Sequence, residues 1–249
     1  MRLFCFHHAG GSAWSFAGWG QWLGSAVDVV PVAMPPRAPA ADGVPGAVGT
    51  MDALVCEVTR QLTPSLDGPY AFYGHSMGSL VAYGVAQRHL AAGGRPPECF
   101  VAGAHRAPHV PTASGLTVEP TDGASLELLL GLGGAGRLLR ENPSRTRAVA
   151  GRLRDDLHVA GTYRHPEPAP PPLPCPVHVL HGDDDPLVSA AAARAWRRHA
   201  GAGFSFRSLP GGHFFHRDDK ERFFAELGRI LALHTPSAPS RPLPTPGKG

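Results

Sequence analysis

The sequence predicts an α/β fold, a mostly parallel central sheet flanked by helices, and three observations lead there. Short apolar runs recur along the chain, most of them separated by helix-length segments, which is the rhythm of strands joined by crossover helices. One run leads into Gly74-His75-Ser76-Met77-Gly78, a Ser framed by glycines just before an apolar helical pattern that begins near Leu80. Between the runs at Cys99 and Val177 the rhythm breaks for about seventy residues, in which helical stretches alternate with Gly and Pro clusters.

Taken in order, the apolar runs predict strands over residues 3–6, 27–33, 70–73, 99–102, 177–180 and 204–209. Helices are expected over 16–23, 51–66, 80–92, 190–199 and 219–233. In the second of these Val55, Val58, Thr59 and Leu62 make an i, i+3, i+4, i+7 stripe that one face of a helix would bury. Within the long interval, residues 125–132 and 146–159 are the clearest helices. An insertion there, about 110–170, is expected to form a helical lid, because binding and catalytic loops gather beyond the strand ends; a subdomain that only packs is the alternative. Seven prolines among residues 166–176 make that segment extended. Residues 1–234 are expected to form one domain, and 235–249, rich in Pro and Ser without apolar periodicity, a disordered tail.

The chain has 249 residues, 43% of them apolar, enough for one large domain with a sizeable core. A formal charge of +3, from 23 basic and 20 acidic residues, leaves no footprint for nucleic acid or a membrane surface. Only Lys220 and Lys248 are lysines, and the arginine excess accompanies abundant Ala, Gly and Pro, so it reads as background. Cys5, Cys56, Cys99 and Cys175 are widely spaced with no C-x-x-C, which indicates neither a zinc site nor a disulfide framework. Cys5, Cys56 and Cys99 lie in apolar patterns and are expected to be buried free thiols. The N-terminal apolar run is too short for a signal peptide, and no run reaches membrane-span length. A cytoplasmic monomer is the expectation.

The pentapeptide around Ser76 reads as a nucleophile elbow, in which a sharp strand-to-helix turn projects the Ser outward while Gly74 and Gly78 leave room for it. Loop-making Gly and Ser is the bland alternative. A Ser needs a base and a group to orient that base, and candidates for both follow predicted strands. Asp185 lies in His181-Gly182-Asp183-Asp184-Asp185-Pro186, and His213 in Pro210-Gly211-Gly212-His213-Phe214-Phe215. The chain order Ser76, Asp185, His213 is that of α/β hydrolases. Asp185 is preferred among three adjacent acids because Pro186 favours an extended residue before it, with Asp183 the runner-up. An oxyanion hole takes one N–H from Met77 and a second from the loop His7-His8-Ala9-Gly10-Gly11-Ser12, where Ala9 is the first choice and Gly10 the next. His7 and His8 point apart on an extended chain, and no third ligand cluster joins them, so no metal is expected. Neither a G-x-G-x-x-G nor a P-loop lysine is present, so no cofactor is expected either.

Together with Phe6-His7-His8-Ala9-Gly10-Gly11-Ser12 and Arg106-Ala107-Pro108-His109, these motifs resemble the type II thioesterases of polyketide and nonribosomal peptide biosynthesis, over about residues 3–233. The resemblance implies an α/β-hydrolase fold with a helical lid. It also implies that acyl or aminoacyl thioesters on the phosphopantetheine arm of an acyl or peptidyl carrier protein are cleaved, to edit or release them, through an acyl-serine. It maps the catalytic residues onto Ser76, Asp185 and His213, and the oxyanion donors onto Met77 and Ala9. Three positions depart from the family pattern. Met34-Pro35-Pro36-Arg37-Ala38-Pro39 replaces a Leu-Pro-Gly-Arg type turn, His105-Arg106 replaces paired arginines, and His216 stands where an apolar residue is common. His216 is expected to face solvent, and Pro36 to reshape its loop. An acyltransferase or cyclase on the same scaffold, and a non-catalytic carrier-binding protein, are the competing readings. Trp14, Phe16, Met77 and Phe214 are candidates to line an acyl pocket, with core packing the more frequent fate of such residues.

Overall fold

The computed structural model describes residues 1–37, 46–111 and 143–235. Six strands, β1 (Arg2–Phe6), β2 (Asp28–Pro31), β3 (Tyr70–His75), β4 (Cys99–Gly103), β5 (Val177–Gly182) and β6 (Phe204–Leu209), form one sheet in the order β2-β1-β3-β4-β5-β6. Every neighbouring pair is parallel. Successive residues alternate between two cores: Phe4, Phe6, Tyr70 and Phe72 enter one, and Leu3, Cys5, Ala71 and Tyr73 the other. Because both faces are covered, the strands read in sequence as unbroken apolar runs.

Helices α1 (Trp19–Leu23), α2 (Met51–Leu62), α3 (Met77–Ala91), α4 (Pro143–Gly161), α5 (Ala190–Arg194), α6 (Phe215–Asp218) and α7 (Lys220–His234) surround the sheet. Leu54, Val55 and Val58 of α2 join Leu80, Val81 and Val85 of α3 in the first core. Trp19 of α1 and Phe223, Leu227, Ile230 and Leu231 of α7 fill the second. The chain leaves β1 toward β2 on one side and β3 toward β4 on the other. Open parallel sheets bind their ligands beyond the strand ends where such connections diverge, which here is the C-terminal ends of β1 and β3.

Several elements differ from expectation for identifiable reasons. The helix expected over 16–23 is split into a 3-10 turn, Ala13–Phe16, and α1, with the chain turning at Ala17 and Gly18 between them. Residues 190–199 begin as α5 and tighten into a 3-10 turn, Ala195–His199. β2 pairs over only four residues; Pro31 fits its outer edge, where a missing N–H costs no ladder bond. Cys56 is exposed, contrary to expectation: the stripe through Leu54, Val55 and Val58 turns inward, which leaves Cys56 on the solvent side of α2. Cys5, Cys99 and Cys175 are buried and free. The helix expected over 146–159 appears within α4. The helix expected over 125–132, most of the lid span and the tail from 236 lie outside the described residues. Among the described residues, no helix is long and apolar enough to cross a membrane.

Candidate active site

The turn from β3 into α3 holds Ser76 at φ 54°, ψ −125°, a conformation that non-glycine residues rarely adopt and that only over-determined surroundings maintain. Those surroundings are specific. The Ser76 N–H donates to the Gly103 carbonyl at 2.8 Å, and the Ser79 hydroxyl bridges the Gly74 and Gly103 carbonyls at 2.8 and 3.0 Å. A Cβ on Gly78 would lie 2.1 Å from the Phe6 carbonyl oxygen, and one on Gly74 2.4 Å from the Ser79 Cα. Glycine at both positions lets α3 start against β1 and the turn close on itself.

From that turn the Ser76 hydroxyl reaches His213 Nε2 at 2.9 Å, while His213 Nδ1 lies 2.9 and 3.1 Å from the two carboxylate oxygens of Asp185. A carboxylate only accepts, so Nδ1 carries the proton and Nε2 is left to accept from Ser76. The His213 and Asp185 side chains are 5% and 0% exposed. Asp185 Oδ1 also accepts from the Leu187 and Val188 N–H groups at 2.9 and 3.2 Å, a local turn across Pro186 that fixes the carboxylate. Asp183 and Asp184 are exposed, so Asp185 is the acid that meets His213. Close backbone approach brings the two loops together: a Cβ on Gly182 would lie 2.1 Å from the Gly212 carbonyl oxygen.

Met77 begins α3 immediately after Ser76. After β1, the Gly11 N–H donates to the His8 carbonyl at 3.0 Å and closes a tight turn around Ala9 and Gly10. The Gly10 N–H donates to Asp156 Oδ2 at 2.7 Å. With Gly10 so engaged, Ala9 is the remaining candidate donor of this loop.

A layer of histidines backs the site. His75 is fully buried and its Nε2 lies 2.9 Å from the His213 carbonyl oxygen, so it donates there; its Nδ1 then accepts from the Tyr73 hydroxyl at 3.1 Å. His216 does not face solvent: it is 6% exposed, stands edge-on to His75 with ring centroids 4.3 Å apart, and packs against Trp19 and Phe223. It occupies the place of an apolar residue and behaves as one, since burial, with Arg217 and His213 nearby, pushes its pKa down to about 3. Burial likewise holds His8 and His75 well below the ordinary histidine range. Of the pocket-lining candidates, Phe16 sits in the second core and Met77 in the first, while Phe214 stacks on His75. Trp14 is 84% exposed and belongs to neither of the two cores.

Four participants escaped the reading from sequence: His75, Tyr73, Arg37 and Asp156. One signal was present for Asp156. It falls on the buried face of α4 between Leu153 and Val159, and a carboxylate on an apolar stripe requires a partner.

A family model for the thioesterase domain matches residues 1–231. The chain belongs to the thioesterase family. This thioesterase is similar to thioesterase PikA5 of Streptomyces venezuelae, 33% identical over 244 residues that cover 96% of this chain and 83% of PikA5. Among solved structures it resembles RedJ, a thioesterase from the prodiginine biosynthetic pathway in Streptomyces coelicolor. The TM-score is 0.79 at 33% identity, covering 92% of this chain and 85% of RedJ. It also resembles BorB, the type II thioesterase of the borrelidin biosynthetic cluster, with TM-score 0.78 at 30% identity over 94% of this chain and 92% of that one. The thioesterase is therefore of type II, the class to which BorB belongs.

Proposed function

We propose that this thioesterase hydrolyses acyl or aminoacyl thioesters held on the phosphopantetheine arm of a carrier protein, clearing or releasing the carrier through an acyl-Ser76 intermediate. The observation that carries the proposal is the continuous line from Ser76 Oγ through His213 to buried Asp185. His213 Nε2 takes the Ser76 proton as Oγ attacks the thioester carbonyl. The Met77 and Ala9 N–H groups receive the developing oxyanion. The carbon–sulfur bond breaks and the pantetheine thiolate leaves with the proton from His213. Water then attacks the ester carbonyl, His213 removes its proton, and the acid departs as Ser76 recovers its hydrogen. Asp185 keeps the imidazole in the Nδ1–H tautomer and balances its positive charge while it holds the extra proton.

No resident cofactor enters this chemistry, because the substrate brings its own pantetheine. The carrier is met above the C-terminal ends of β1 and β3, and the setting is a reducing cytoplasm in which the free thiols stay reduced. The test is thiol release from an acylated carrier protein: wild type liberates free pantetheine thiol and the acid, and Ser76→Ala loses at least about 10³-fold in turnover. Wild-type turnover in Ser76→Ala rejects the acyl-serine route. A product mass showing the acyl group on an amine, an alcohol or a second carrier rejects hydrolysis in favour of transfer.

A further inference from the structure

Beside the candidate oxyanion loop, a buried ion pair joins three segments far apart in sequence. Asp156 in α4 and Arg37 after β2 have side chains 0% and 8% exposed. Arg37 Nε donates to Asp156 Oδ1, and Nη2 to Oδ2 at 3.0 Å. Arg37 Nη1 donates to the Pro35 carbonyl at 2.6 Å. A bidentate guanidinium–carboxylate pair fixes orientation, whereas its net stabilisation is small because desolvation offsets the attraction. What links the pair to the site is its third partner, the Gly10 N–H, 2.7 Å from Asp156 Oδ2.

That bond fixes the Ala9–Gly10 peptide, while the Ala9 N–H belongs to the preceding His8–Ala9 peptide, whose carbonyl the Gly11 N–H holds. Anchoring Gly10 therefore secures the second half of the turn on which Ala9 stands. Gly10 sits at φ +75° in the turn closed by the Gly11 N–H on the His8 carbonyl, and the central peptide of such a turn has two orientations. Flipping it would turn the Ala9 carbonyl oxygen toward the Asp156 carboxylate. Leu153, one turn earlier on α4, closes the same spot: a Cβ on Gly10 would lie 3.1 Å from the Leu153 Cβ. Two residues of α4 thus clamp the turn that presents Ala9.

We propose that Asp156, oriented by Arg37, is a positioning residue of the oxyanion hole: it anchors at Gly10 the turn that carries the Ala9 N–H and so holds that donor in place for the transition state without touching substrate. This rests on the acyl-Ser76 reading above. The arginine of the Pro35-Pro36-Arg37 loop is thereby committed to the clamp. Donors aimed at developing charge act on turnover more than on substrate binding, so losing the clamp lowers kcat and spares KM.

The experiment compares the charge-free double variant Arg37→Met/Asp156→Leu with Asp156→Asn, whose amide oxygen can still accept from Gly10. Each is assayed for kcat and KM on an acyl-pantetheine thioester, for affinity to an acyl trifluoromethyl ketone, and for thermal melting. In the double variant kcat is expected to fall about 10²-fold, the ketone to bind weaker by a similar factor, and KM to stay within about threefold. Asp156→Asn is expected to keep kcat within about tenfold. Wild-type kcat and ketone affinity in the double variant overturn the proposal, as does an Asp156→Asn variant equally impaired. The Gly10 amide gives a readout independent of Ser76 chemistry: its hydrogen exchange is slow in wild type and Asp156→Asn and fast in the double variant. A fast-exchanging Gly10 amide in wild type overturns the clamp. Turnover surviving Ser76→Ala rejects the acyl-serine reading instead.

Discussion

His75 donates its Nε2 proton to the main-chain carbonyl of His213 at 2.9 Å, so the residue beside the candidate nucleophile holds the backbone of the candidate base. The bond spans β3 and the loop after β6, the two segments whose separation sets the Ser76–His213 distance. His75→Leu leaves the His213 carbonyl and the Tyr73 hydroxyl buried without a partner, at about 1–3 kcal/mol each. It also frees the His213 loop to shift, and a displacement near 1 Å at a reacting group costs on the order of 10²-fold in rate. Thermal melting is expected to show the first effect and kcat the second. His75→Gln, which can still donate, recovers part of the kcat loss; equal loss in both variants contradicts a positioning role.

Asp185→Asn tests the tautomer argument. The Leu187 and Val188 N–H groups point at Oδ1 and will select the amide oxygen of Asn for that place, which turns its NH₂ toward His213 Nδ1. A donor facing Nδ1 forces the ring proton onto Nε2, where His213 can no longer accept from Ser76. Turnover is expected to drop about 10³- to 10⁴-fold, with KM little changed. Asp183→Asn, on an exposed side chain, is expected to stay within about twofold. A steady-state comparison of the two variants decides between the acids.

These two cases mark what the sequence could and could not disclose. Ser76, Asp185 and His213 were legible because each sits in a short local pattern, glycines around the Ser, Pro after the Asp, paired glycines before the His, at the end of an apolar run. The sheet was legible because both its faces are buried, so its strands stand out as continuous runs. His216 was misread because its setting is tertiary: Trp19, His75 and Phe223 close over it from three elements, and no local pattern encodes them. The Arg37–Asp156 pair was hidden for the same reason, its members lying 119 positions apart.

Gly78→Ala probes the packing that seats the elbow. The added Cβ would stand 2.1 Å from the Phe6 carbonyl oxygen, an atom of a central strand that cannot yield without moving β1. Overpacking against backbone is expected to cost about 3 kcal/mol or more, seen as a lower denaturant midpoint or loss of soluble protein. Gly228→Ala on α7, where an added Cβ meets nothing within 4 Å, is the control and should be neutral or slightly stabilising. Equal stability of the two variants would show that the elbow is looser than the contact requires.

Acid stability should depend on His216. Its pKa is near 3 in the folded protein, against an ordinary value of 6.5, so between those limits the unfolded chain binds a proton that the folded chain refuses. Stability then rises with pH across that window, and the contribution of neutral His216 is present above pH 6.5 and lost as pH falls toward 3. One such histidine adds a slope of up to about 1.4 kcal/mol per pH unit. His216→Phe keeps an aromatic ring against Trp19 and Phe223, removes the titration, and eliminates the buried Nδ1, which has no hydrogen-bond partner among the described residues. Urea unfolding from pH 7 to pH 4 should therefore show the variant losing stability less steeply than wild type, with its advantage largest at the acid end. Parallel curves for the two proteins would mean that His216 takes up its proton in the folded state.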